Sequence, residues 1–226
     1  MQIKINLKIF LFLIIFILTK QIKIYSLLMI FALIHELGHI TMGLILGFQP
    51  QSISIIPSGF TVKFKTKNSN KNLKKLSLKK ILIAFAGPLT NLVLIIIIYV
   101  YYKVNNKINI FNIDLNLMIY SNILICIFNL IPIYPLDGGR ILKELIYINK
   151  GEYKATIISN KISNILIIIL TILASFAVLV YKNIAILIIL GYLWGLTIKE
   201  NKKNNIKKKI WEKYIEYNNW FNKRKF

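Results

Sequence analysis

Charge-free stretches recur along this chain at lengths that suit membrane helices. Ile81 to Tyr102, Leu115 to Ile133 and Ile162 to Tyr181 carry no charged residue. Each is close to the roughly 20 residues that a helix needs to cross the hydrocarbon core. Asn183 to Ile198 is shorter and equally uncharged, and Ile24 to Gly47 is an apolar run that encloses His35-Glu36-Leu37-Gly38-His39. Ile9 to Leu18 is a shorter apolar run after Lys4 and Lys8. No small-x-small cleavage site follows it, so it reads as a retained first span beginning near Ile5 rather than a signal peptide. Six spans result, at about 5–19, 24–47, 81–102, 115–135, 162–181 and 183–199. The expected fold is an all-α polytopic membrane protein with about six transmembrane helices. Residues 1–199 form its membrane domain and residues 200–226 a basic cytoplasmic tail.

One stretch departs from the helical pattern. Ser52 to Phe64 reads SISIIPSGFTVKF, with β-branched residues in rough alternation around Pro57-Ser58-Gly59. It predicts two short strands joined at a turn, or one bent strand, re-entering the membrane or forming a hairpin after the second span. A free strand edge there could hold an extended peptide by main-chain hydrogen bonds, and a surface hairpin without a ligand is an equal reading.

Composition adds orientation. The chain is 56% hydrophobic with mean hydropathy +0.61, yet carries a formal charge of +22. With the N-terminus in the cytoplasm, 25 of its 30 basic residues lie inside. Outside remain Lys20, Lys23, Lys103, Lys107 and Lys182, a positive-inside distribution that places both termini in the cytoplasm. The charge is thus explained by topology and contact with anionic lipid, not nucleic acid. Trp211 and Trp220 among the lysines of the tail suit an interfacial helix or a disordered basic end. Cys126, the single cysteine, excludes an internal disulfide and reads as a small buried hydrophobe.

The chemistry begins at His35-Glu36-Leu37-Gly38-His39. Positions i and i+4 share one helix face, so the two imidazoles can meet one ion, and zinc suits that pair. Glu36 lies one step round the helix, placed to take a proton from water at such an ion. The chain has only two histidines, and both are in this motif. An ionisable triplet inside a membrane span is costly unless it has a task.

Zinc needs a third protein ligand to make an open catalytic site. The chain has eight acids. Glu144 and Glu152 fall in a cytoplasmic loop, Glu200, Glu212 and Glu216 in the tail, and Asp114 on the outer side of the fourth span. Asp137 lies at that span's inner end, where Pro132, Pro135, Gly138 and Gly139 will end or unwind the helix. His39 lies eight residues before Gly47, roughly 12 Å at about 1.5 Å per residue. The histidines and Asp137 thus share the cytoplasmic half of the membrane, and Asp137 is the expected third ligand. In the third span, Ala86-Gly87-Pro88-Leu89-Thr90-Asn91 reads as structural: Gly87 allows close packing and Asn91 can bond across helices.

HELGH in a second span, AGPLTN in a third and NLIPIYPLDGGR ending a fourth together resemble the site-2 proteases, intramembrane zinc metalloproteases. The resemblance covers about Ile24 to Arg140; the close pairing NLIPIYPLDGGR, six spans and a small size look most like the sporulation branch, and the lack of a PDZ-like insert argues against the stress-response branch. It implies one zinc ion per chain on His35, His39 and Asp137, with Glu36 as catalytic base and a substrate-side role for Asn129. It further implies a membrane-associated protein substrate, a sigma-factor precursor of the pro-sigma-K type, and inhibitory membrane-protein partners. Another membrane-bound regulator, a leftover signal peptide or a non-catalytic zinc-binding role are the competing expectations.

Overall fold

A computed structural model describes residues 2–5, 7–56, 59–65, 73–105, 109–110, 113–181 and 185–223. They fall into two compact units, Met1–Ile131 and Pro132–Phe226. The turn expected at Pro57 and Ser58 and the basic residues Lys67, Lys71, Lys107 and Lys182 lie outside the described residues.

The first unit contains, in order, β1 (Gln2–Ile5), α1 (Lys8–Leu18), α2 (Ile22–Ile45), β2 (Gln49–Ile56), β3 (Gly59–Lys65), α3 (Leu73–Asn105), β4 (Asn109–Ile110), β5 (Ile113–Asp114) and α4 (Leu115–Leu130). The expected hairpin is present. β2 pairs antiparallel with β3, with Ile53 opposite Val62 and Ile55 opposite Phe60. What the sequence reading did not foresee is β1, which pairs parallel with β2. The chain before α1 is therefore strand where the first span was expected to begin; Gln-Ile-Lys-Ile alternates, and alternation suits a strand.

The end of α2 shows why the hairpin follows directly. Gly47 takes φ 83°, a left-handed conformation that glycine adopts without steric cost. The Gly47 and Phe48 amides donate back to the Leu44 and Gly43 carbonyls. The Lys79 ammonium of α3 donates to the Leu46 carbonyl at 3.0 Å, adding a cation where the helix end is negative. Inside the unit, Leu27 and Phe31 of α2 pack with Ile98 of α3 and with Leu115 and Ile125 of α4. Asp114 caps α4 by accepting from the Asn116 amide. Ile131, just before Pro132, is extended at φ −61°, ψ 129° and ends the helix, as the clash with a following proline ring dictates.

The second unit begins with a tight turn whose Tyr134–Pro135 bond is cis. Ile133 is wholly buried in it, and the Tyr134 amide donates to Ser163 Oγ at 3.0 Å. Then come α5 (Asp137–Tyr181) and α6 (Ala185–Lys223). Gly151, at φ 76° and ψ 171°, divides α5 into two helical pieces. The stretch expected to be a cytoplasmic loop is thus mostly helix, and so is the basic tail. The second piece of α5 meets α6 along a polar seam: Asn164 with Asn201, Asn160 with Asn204, Glu152 with Lys207 and Tyr153 with Glu212.

Three described helices are long and apolar enough to cross a membrane, Ile22–Ile45, Leu73–Val104 and Asp137–Phe176. They contain the third expected span and most of the second and fifth. α4 has 16 residues and α1 has 11, each shorter than the roughly 20 that a full crossing needs.

The seam yields a stability prediction. Asn204 is buried and its Oδ1 has no partner among the described residues, so its link to Asn160 is its one amide bond there. Asn160→Leu leaves the Asn204 amide unmet and should destabilise by roughly 1–3 kcal/mol, whereas replacing both partners with leucine should be close to neutral. Thermal unfolding in detergent micelles compares the two variants.

Candidate metal centre

His35 and His39 sit mid-way along α2, where the motif's four-residue spacing stacks them on one face. Both are buried, and their rings stand nearly perpendicular with centroids 4.8 Å apart. Each Nδ1 is engaged. His39 Nδ1 lies 2.7 Å from the Ile83 carbonyl oxygen; a carbonyl only accepts, so Nδ1 carries the proton. His35 Nδ1 donates to Asn91 Oδ1 at 2.6 Å. Neutral rings protonated at Nδ1 keep an unprotonated Nε2, and the two Nε2 atoms are 3.2 Å apart.

Two unprotonated nitrogens that close suit a cation held between them. Tetrahedral zinc with Zn–N bonds of about 2.0–2.1 Å would separate two imidazole nitrogens by about 3.3 Å. The observed spacing fits that ion. Gly87 keeps the space open: a Cβ there would collide with Nε2 and Cε1 of His39 and with Nε2 of His35. Pro88 follows, and Thr90 Oγ1 donates to the Gly87 carbonyl at 2.6 Å, steadying the helix where proline interrupts the ladder.

The remaining expected residues are placed as follows. Glu36 is half-buried on the same helix between the ligands. Asn129, on α4, donates its amide to the Ile125 carbonyl at 3.0 Å. Asp137 opens α5, is buried and pairs with Arg140 at 3.5 Å. His35, His39 and Asp137 are described residues that could each give one ligand atom to a metal ion. Asp114 is occupied as the N-cap of α4. Sequence reasoning assigned Asn91 only to cross-helix bonding and missed Asn122, which accepts from Asn91 Nδ2 at 2.9 Å. The sequence marks Asn122 only as an amide within the uncharged run of the fourth span, without its partner.

The sequence model of peptidase family M50 matches residues 23–113 and 105–174, well over half of the chain. The chain belongs to peptidase family M50. Among curated relatives, it is 30% identical over 125 residues to stage IV sporulation protein FB of Bacillus subtilis, covering 55% of this chain and 41% of that protein. It is 28% identical over 178 residues to a zinc metalloprotease of Methanocaldococcus jannaschii, covering 76% of this chain and 48% of that one. The chain therefore spans less than half the length of these two relatives. Its fold is similar to that of the solved site-2 protease from Methanocaldococcus jannaschii, with TM-score 0.68 at 24% identity, over 88% of this chain and 89% of that one.

The centre can be tested without a substrate. Gly87→Ala puts a methyl group where the two Nε2 atoms converge. Zinc content measured by elemental analysis should fall from one per chain to a small fraction, while circular dichroism keeps the helical signal of the wild type.

Proposed function

We propose that this M50 chain is an intramembrane zinc metalloprotease that hydrolyses a peptide bond in or near the cytoplasmic half of the bilayer. The observation that carries it is the pair of buried imidazoles, both committed through Nδ1, whose unprotonated Nε2 atoms converge across a glycine gap beside a glutamate. Asp137 is the third ligand in this reading: it is a buried carboxylate, of the ligand type that completes a two-histidine catalytic site. Zinc, when bound, supplies a Lewis acid that brings the pKa of water to about 7 and polarises a carbonyl.

The chain's own residues do the rest. Glu36 takes the proton from the attacking water and returns it to the leaving amine. Asn129 keeps one amide hydrogen on the Ile125 carbonyl and has a second to offer an oxygen on which charge develops. A helical substrate must unwind before its carbonyls are accessible, because each is bonded within the helix. β2 already has a strand on either side, which leaves the outer edges of β1 and β3 for an extended peptide, and β3 belongs to the hairpin that the sequence singles out.

The substrate we propose is a membrane-associated sigma-factor precursor of the pro-sigma-K type, processed during sporulation. Similarity to stage IV sporulation protein FB supports this. Six spans with both termini in the cytoplasm complete the proposal, supported by the distribution of lysine and by three helices of crossing length.

Co-expression with a pro-sigma-K-type precursor tests both levels. Wild type should produce the shortened protein on a gel, and Glu36→Gln should keep its zinc and lose at least about 10²-fold in rate. Asp137→Asn should lose both zinc and cleavage, and full activity in that variant would remove Asp137 from the site. No cleavage by zinc-loaded wild type would move the substrate to another membrane-bound regulator or a leftover signal peptide.

A further inference from the structure

We infer that Asn91 and Asn122 are positioning residues, forming a directional amide relay that sets the tautomer of His35. It deepens the zinc reading above and takes its functional meaning from it, but the tautomer itself can be read without metal.

A side-chain amide has nearly the same shape whichever way round it sits, so only its partners decide which end faces where. The relay starts from a group whose polarity cannot change. The Met118 carbonyl of α4 accepts from Asn122 Nδ2 at 2.9 Å. That turns Asn122 Oδ1 towards α3, where it accepts from Asn91 Nδ2 at 2.9 Å. Asn91 must then turn Oδ1 towards α2, where it meets His35 Nδ1 at 2.6 Å. An oxygen at that point calls for Nδ1–H, and a neutral imidazole with Nδ1–H leaves Nε2 bare. Three helices are thus linked in one donor-to-acceptor order, and both amides have 0% exposure. Water is therefore not at hand to replace a lost partner.

His39 reaches the same tautomer in one step, through the Ile83 carbonyl. The two ligands are oriented by different means, which gives the experiment an internal control. Reversing the relay would set Asn122 Oδ1 against the Met118 carbonyl, two acceptors facing each other. Asn122 touches neither imidazole in this chain of bonds, so any effect it has on His35 passes through Asn91.

The test uses the full chain in detergent micelles, labelled with ¹⁵N-histidine, stripped of metal by chelator and held well above the imidazole titration range. Only two histidines are present, so the spectrum holds four ring nitrogens. In wild type both rings should show the Nδ1–H tautomer. Asn122→Leu should move His35 into a tautomer mixture and leave His39 unchanged. Asn122→Asp should keep the wild-type pattern, because a carboxylate oxygen still accepts from Asn91 Nδ2 and so keeps Asn91 Oδ1 towards His35. Zinc affinity, read by chelator competition, should fall about 10–100-fold in Asn122→Leu. The fall in the double Asn91→Leu/Asn122→Leu variant should equal that of Asn91→Leu alone.

An unchanged His35 tautomer in Asn122→Leu, with native His39 signals, overturns the relay. So does an Asn122→Asp variant that loses the tautomer as fully as Asn122→Leu, or zinc losses that add in the double variant. Should wild type bind no zinc while the tautomer still responds to Asn122→Leu, the relay stands and the metal reading falls.

Discussion

Everything at this centre depends on two hydrogen bonds donated by Nδ1, one to the Ile83 carbonyl and one to Asn91 Oδ1. An imidazole buried without a partner for its N–H costs the full desolvation of that group. In an apolar helix packed among apolar helices, the partner has to come from a neighbouring helix. α3 supplies both, from positions eight residues apart on either side of Gly87 and Pro88. The same stretch therefore does three things: it holds both rings, leaves room between their inner nitrogens, and lets α2 and α3 approach.

Glycine and proline in α3 make sense only together. Proline alone would interrupt the helix and add no space; glycine alone would give space in a straight ladder. Gly87 lies under the two Nε2 atoms, and Thr90 bonds back to its carbonyl within the same turn. Close approach elsewhere along the pair follows the same logic, since a Cβ at Gly38 would strike Thr90 and the Ala86 carbonyl. Small residues at helix contacts are what packing without a hydrophobic driving force requires.

The sequence disclosed the centre better than it disclosed the architecture, for a physical reason. Chemistry that needs two imidazoles on one ion forces a fixed spacing on a helix, and His35 to His39 shows it directly. The hairpin was also legible, because alternation in Ser52 to Phe64 has the period of a strand. β1 was not, since four residues of alternating pattern ahead of an apolar run look like the start of that run. The helical character of the stretch around Glu144 and Glu152 was hidden by its charge, which says that a segment meets water but not what its backbone does. Asn122 was overlooked because an amide in a long apolar run identifies neither its partner nor its direction. That information lives in the packing of α3 against α4.

Holding the two rings in one tautomer before any ion arrives changes the energetics of binding. A ligand that must first reorient or shift its proton spends part of the metal's affinity on that step, and a ring already set does not. In water the same preparation is less pressing, because solvent can satisfy either nitrogen while the ring turns. Inside an apolar helix cluster an intermediate orientation has no such support, so the partners must be built in, and built in with the right polarity. Ile83 does this with a backbone carbonyl, which mutation at position 83 cannot remove. His35 has instead a side-chain partner that is itself reversible, and that is why its orientation needs a second amide and a second carbonyl behind it.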